Sequence, residues 1–202
     1  VAGTIGGSTT GVAKSVRLIP IRVLNCAGSG YISNVVNGIN WAITDHASGV
    51  PAVANLSIGG SVSSSLNTAV ANAVQDGIVV VAAAGNNNRD ACNYSPASAA
   101  SAITVGATTS ADARASYSNF GSCLDIFAPG SGITSAYFSS STSLRSLSGT
   151  SMAAPHVAGA AALLLESDPS MTPAAVIAKL ITFSTPDVVT SGGVGSVNLF
   201  LF

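Results

Sequence analysis

Apolar positions along the chain alternate between two patterns. Residues 17–24 (RLIPIRVL), 50–58 and 78–84 (IVVVAAA) are short apolar runs rich in β-branched residues, the pattern of strands buried on both faces. Between them, Ile32, Val35, Val36, Ile39 and Ile43, then Leu66, Val70, Ala73 and Val74, recur at helical spacing and stop at Gly49 and Gly77. Residues 86–137 are irregular, with a short strand at 103–107, and helices return over 151–166 and 172–183. Thr172 followed by Pro173 reads as an N-cap with proline at the first helical position.

Buried strands joined through helices by short glycine-containing connections imply right-handed βαβ units. The expected fold is α/β, a three-layer sandwich around a mainly parallel central sheet, with residues 1–202 forming one domain. Ligands and catalytic groups of such sheets gather at the carboxyl ends of the strands. That directs attention to residues 24–32, 55–60, 83–88 and 148–151, each rich in Gly, Ser or Asn.

Composition narrows the function. Only 7% of residues are charged and the net charge is -1, so there is no basic field to attract nucleic acid or an anionic membrane surface. Mean hydropathy is high at +0.53. Yet no apolar stretch reaches the ~18 residues a spanning helix needs, and residues 157–165 read as a buried helix.

The sharpest feature is Ser148-Gly149-Thr150-Ser151-Met152-Ala153-Ala154-Pro155-His156-Val157-Ala158-Gly159, a small-residue turn running into an apolar helix. A serine at a helix mouth is commonly just a cap. It also places a hydroxyl beside unpaired backbone donors and the positive end of the helix dipole, a setting that stabilises an oxyanion. The full block resembles the nucleophile signature of the subtilisin-like serine proteases, and within them the proteinase K and aqualysin subgroup. The similarity extends through Asn93-Tyr94-Ser95-Pro96-Ala97 and residues 115–123 (ASYSNFGSC). An esterase elbow would need Gly-x-Ser-x-Gly, and Gly149-Thr150-Ser151-Met152-Ala153 lacks the last glycine.

The resemblance implies an endopeptidase that cuts peptide bonds through an acyl-enzyme on Ser151, with Asn86 of Ala83-Ala84-Gly85-Asn86 as the second oxyanion donor. It implies a groove that binds substrate as an extended strand, formed by Ser57, Ile58, Gly59 and Gly60 on one side and by Gly28, Ser29 and Ile32 on the opposite rim. Ala83, Gly85 and Thr150 lie between them, leaving room for apolar or aromatic groups. It further implies a structural calcium on the carbonyls of Ala100 and Ala102 and the carboxylate of Asp125, a Cys92–Cys123 disulfide, secretion, a monomer and a propeptide.

A serine hydroxyl needs a base, and the base an orienting acid. In the family both precede the Val1-Ala2-Gly3-Thr4 block, so the catalytic Asp and His are expected upstream of Val1, as is any targeting segment and a partner for Cys26. Neither histidine substitutes: His156 shares the helix of Ser151 but not its face, and His46, near a helix end beside Asp45, reads as solvent-facing. The rival reading is a non-catalytic domain of the same fold that binds peptides without cutting.

Overall fold

The computed structural model describes residues 1–201. In chain order its elements are α1 (Ala2–Gly6), α2 (Ile32–Asp45), β1 (Ala52–Leu56), β2 (Gly60–Ser61), α3 (Ser64–Gln75), β3 (Ile78–Ala83), β4 (Tyr94–Ser95), β5 (Ile103–Thr108), β6 (Ile126–Pro129), β7 (Ile133–Ala136), β8 (Leu144–Leu147), α4 (Thr150–Ser167), α5 (Pro173–Phe183), β9 (Thr185–Pro186) and β10 (Leu199–Phe200). The main sheet runs β1-β3-β5-β6-β10-β9. All of its pairs are parallel except β10 with β9.

Strand β3 shows why the architecture has three layers. All six of its residues are buried, and because side chains alternate across a strand they divide between two cores. Val79, Val81 and Ala83 pack with Val157, Ala161, Val176 and Leu180 of α4 and α5. Ile78, Val80 and Ala82 pack with Val35, Ile39, Leu66 and Val70 of α2 and α3 on the opposite face. Helix α4 lies so close to the segment after α1 that a Cβ at Gly159 would stand 2.6 Å from Val12. Glycine is required there by the approach. Thr172 caps α5 through its Oγ1, which accepts from the Ala175 N–H at 3.3 Å.

Two sequence expectations need correction. Residues 17–24 are not a buried strand: they pair with no strand among the described residues, and Leu18, Ile19 and Ile21 are exposed. An apolar run acquires a strand's burial only when a neighbour pairs with it, and β1 is left as the sheet edge, its residues half-buried. The second is β6, absent from the reading above. The polar Asp125 stands immediately before its short apolar run, and the Asp125 N–H is bonded to the Thr104 carbonyl at 3.0 Å where the strand joins β5.

Candidate active site

The carboxyl ends of β1 and β3 and the first turn of α4 surround a cleft of about 370 Å³. It is lined by Ser57, Ile58, Gly59, Gly60, Ala83, Gly85, Asn86, Thr150 and Ser151, all singled out from sequence, together with Ser61, Ala84, Asn87, Tyr94, Ser95 and Ala97. Gly28, Ser29 and Ile32 do not line it. Gly28 and Ser29 lie in an exposed turn organised by Asn25, whose Oδ1 accepts from the N–H groups of Ala27 and Ser29, and Ile32 opens α2.

Ser151 stands on the first turn of α4. Its N–H finds no acceptor among the described residues, whereas the Met152 and Ala153 N–H groups both go to the Gly149 carbonyl. A free N–H at the positive end of an 18-residue helix is a donor suited to a negatively charged oxygen.

Asn86 faces the same cleft, and the orientation of its amide is determined chemically. Its Oδ1 lies 2.8 Å from the Thr150 backbone N, which can only donate, so that atom must be the oxygen. The Thr150 hydroxyl donates to the same Oδ1 at 3.0 Å and accepts from the Gly85 N–H at 3.1 Å. With the oxygen held twice, Nδ2 is the end left to donate in the cleft.

The loop carrying Asn86 is itself held by Asn119, fully buried, which the sequence reading did not single out. Asn119 Oδ1 accepts from the N–H groups of Asn87 and Arg89, its Nδ2 donates to the Ala84 carbonyl and its N–H to the Gly85 carbonyl. Gly85 has φ +101°, and a Cβ there would meet Asn119 Nδ2 at 2.5 Å. Only glycine suits that position. A signal existed, since Asn119 sits inside the 115–123 block that carries the resemblance.

Ser151 and Ser57 exchange two hydrogen bonds. The Ser151 hydroxyl donates to the Ser57 carbonyl at 3.3 Å, and the Ser57 hydroxyl donates to the Ser151 carbonyl at 3.0 Å. No His, Lys, Asp or Glu side chain lines the cleft, so no such base there takes a proton from Ser151.

Neither histidine fills that gap. His156 Nδ1 lies 2.8 Å from the Met152 carbonyl and donates to it; burial lowers its pKa and the Met152 bond acts against this. His46 is not solvent-facing as expected, because its side chain is only 7% exposed. It is drawn in by Asp76, 2.6 Å from Nδ1, and by the Val50 carbonyl, 2.7 Å from Nε2.

Away from the cleft, Cys92 and Cys123 form a disulfide, and Cys26 is free and exposed. Asp125 is held beside the start of β5, its Oδ2 accepting from the Thr104 N–H at 2.7 Å. Burial raises its pKa and the Thr104 bond only partly opposes this. A partly desolvated carboxylate has the hard-oxygen chemistry that calcium takes. Among the described residues no group of three or more His, Cys, Asp or Glu gathers as a metal site.

The family model described as Subtilase family, peptidase S8, matches residues 1–198. The chain belongs to the subtilase family. It is 57% identical over 202 residues to the extracellular serine proteinase of Thermus sp. (strain Rt41A), covering all of this chain and 49% of that protein. It is 53% identical to the alkaline serine exoprotease A of Vibrio alginolyticus, again over the whole chain and 37% of the relative. A crystal structure of a cold adapted subtilisin-like serine proteinase superposes with a TM-score of 0.95 at 47% identity, covering all of this chain and 72% of that one. The chain thus spans about half the length, or less, of these two curated relatives. The subtilisin-like α/β fold and membership among serine peptidases follow, and no helix is long and apolar enough to cross a membrane.

Proposed function

We propose that this subtilase chain carries the nucleophile, oxyanion hole and part of the peptide groove of a secreted serine endopeptidase, whose catalytic Asp and His lie in sequence preceding Val1. The observation that carries the proposal is the convergence of the half-buried Ser151 hydroxyl, its unpaired N–H and the oriented Asn86 amide on one uncharged cleft.

An extended peptide lies along residues 57–60, pairing main chain to main chain, with its side chain before the cut against Ala83 and Gly85. Ser151 Oγ attacks the scissile carbonyl carbon as its proton passes to the histidine. The Ser151 N–H and Asn86 Nδ2 hold the negative oxygen. Collapse breaks the C–N bond, the amine leaves with the proton, and water hydrolyses the ester by the same route. The packing of α1 against the segment and helix around Gly159 supports an entry for the preceding residues beside α4. The protein acts as a monomer after a propeptide is removed, and Asp125 with the carbonyls of Ala100 and Ala102 would hold a calcium ion, which would rigidify the loop before β5.

The second reading, a peptide-binding domain that does not cut, draws on the Ser151 hydroxyl resting on the Ser57 carbonyl with no base in the cleft. Two measurements separate the readings. The full-length protein should cleave internal bonds of an unstructured protein substrate, and Ser151→Ala should abolish this. Ser151-independent binding with no cleavage favours the second reading, and release of terminal residues alone would make the enzyme an exopeptidase.

A further inference from the structure

Helix α4 contains Pro155, buried, four residues after Ser151. Proline has no N–H to give the carbonyl at i−4, so the ladder leaves the Ser151 carbonyl without its helical donor at the very residue whose position matters most. The Ser57 hydroxyl fills that place, donating at 3.0 Å from the other side of the cleft. Behind it, Asn55 on β1 donates from Nδ2 to Ser57 Oγ at 2.9 Å, which directs the hydroxyl proton toward Ser151.

We propose that Ser57, backed by Asn55, is a positioning residue: its hydroxyl replaces the hydrogen bond Pro155 withholds and ties the peptide plane of Ser151 to the strand end that binds substrate. The proposal rests on Ser151 being the nucleophile. Because Ser57 also presents its backbone carbonyl to the Ser151 hydroxyl at 3.3 Å, the two residues are joined at two points. Any shift of the groove edge is thereby transmitted to Ser151. The Ser57 side chain is consequently committed to Ser151, and what residue 57 offers a substrate is its main chain.

The test uses the full-length protein with two readouts. A misplacement of about 1 Å at a reacting group costs on the order of 10²-fold, so Ser57→Ala should lower kcat by roughly 10- to 100-fold with KM changed less than about 3-fold. Ser57→Thr, which keeps the hydroxyl, should restore most of the rate. In a Pro155→Ala background, where residue 155 regains an N–H, the same Ser57→Ala change should cost several-fold less. Independently of activity, the ¹³C carbonyl resonance of Ser151 should move upfield in Ser57→Ala and not in Ser57→Thr.

A kcat within about 2-fold of wild type in Ser57→Ala, or an equal cost of that change with and without Pro155, overturns the positioning role. So does a rise in KM alone. If Ser57→Ala fails to fold, the Pro155→Ala comparison is made with Asn55→Ala, and equal costs again overturn it. If the carbonyl resonance responds while the full-length protein shows no Ser151-dependent hydrolysis, the hydrogen bond stands and the nucleophile assignment falls.

Discussion

Replacing Thr150 by valine asks whether the Asn86 amide works because it is held. The substitution keeps the volume and the backbone N–H bond to Asn86 Oδ1, but removes the second bond to that oxygen and the acceptor for the Gly85 N–H. A neutral hydrogen bond is worth about 0.5–1.5 kcal/mol net. Losing the one that restrains the amide should therefore reduce kcat by roughly 2- to 13-fold. Removing the donor altogether with Asn86→Leu should cost far more: loss of one such donor in subtilisin, the reference case for this family, costs on the order of 10²–10³. Asn86→Asp should be as damaging, because a carboxylate keeps the Thr150 bonds but presents charge to the oxyanion instead of a donor. The assay is steady-state hydrolysis of a chromogenic peptide by the full-length protein, with kcat and kcat/KM falling together. A Thr150→Val enzyme as impaired as Asn86→Leu, or Asn86→Leu raising KM alone, would refute the reasoning.

Three further outcomes are expected. His46 donates to both Asp76 and Val50 only when its ring carries two protons; burial lowers its pKa, but the Val50 carbonyl and the Asp76 carboxylate outweigh this and the net shift is upward. Its stabilisation is therefore complete below about 6.5, the unfolded imidazole value, and is lost as pH rises through the raised folded value. The Tm gap between wild type and His46→Gln should shrink with rising pH, and a gap that widened would contradict the assignment. The Cys92–Cys123 bridge closes 31 residues, worth about 3.7 kcal/mol on the chain-entropy model. Cys92→Ser with Cys123→Ser should lower stability by that order in chemical denaturation, while peptide mapping without reductant should find Cys26 unpaired with either. Calcium should raise Tm in wild type and much less in Asp125→Asn; an equal response in both would remove Asp125 from the site.

The four long helices and β3 were legible because their patterns are local: periodic apolar positions, a Thr-Pro start, an unbroken β-branched run. The fate of residues 17–24 was not, since the same apolar string is buried or exposed according to whether another strand lies beside it, a non-local fact. Strand β6 was hidden for a similar reason, the Asp125 just before it being accommodated by Thr104, a residue 21 positions away. Within the site, Ser151 and Asn86 came from extended motif blocks. The residues that orient them lie in similar blocks, but their roles were not legible there. The Thr150 hydroxyl looks like a groove residue until its bond to Asn86 is seen, Asn119 looks like one more turn asparagine, and the Ser57 side chain acquires meaning only opposite a carbonyl that Pro155 leaves without a donor.

The most direct test of the account is covalent labelling of Ser151. Full-length protein treated with a sulfonyl fluoride, digested and mapped by mass spectrometry should carry one adduct, on the peptide containing Ser151. Loss of peptide hydrolysis should track its formation. The isolated 202-residue chain, whose cleft is lined by no His, Lys, Asp or Glu side chain, should label at a rate no faster than Ser151→Ala. Full-length protein that loses activity with Ser151 unmodified, or an isolated chain that labels as fast as the full-length protein, would contradict the assignment of this chain as the nucleophile-bearing part of a serine peptidase.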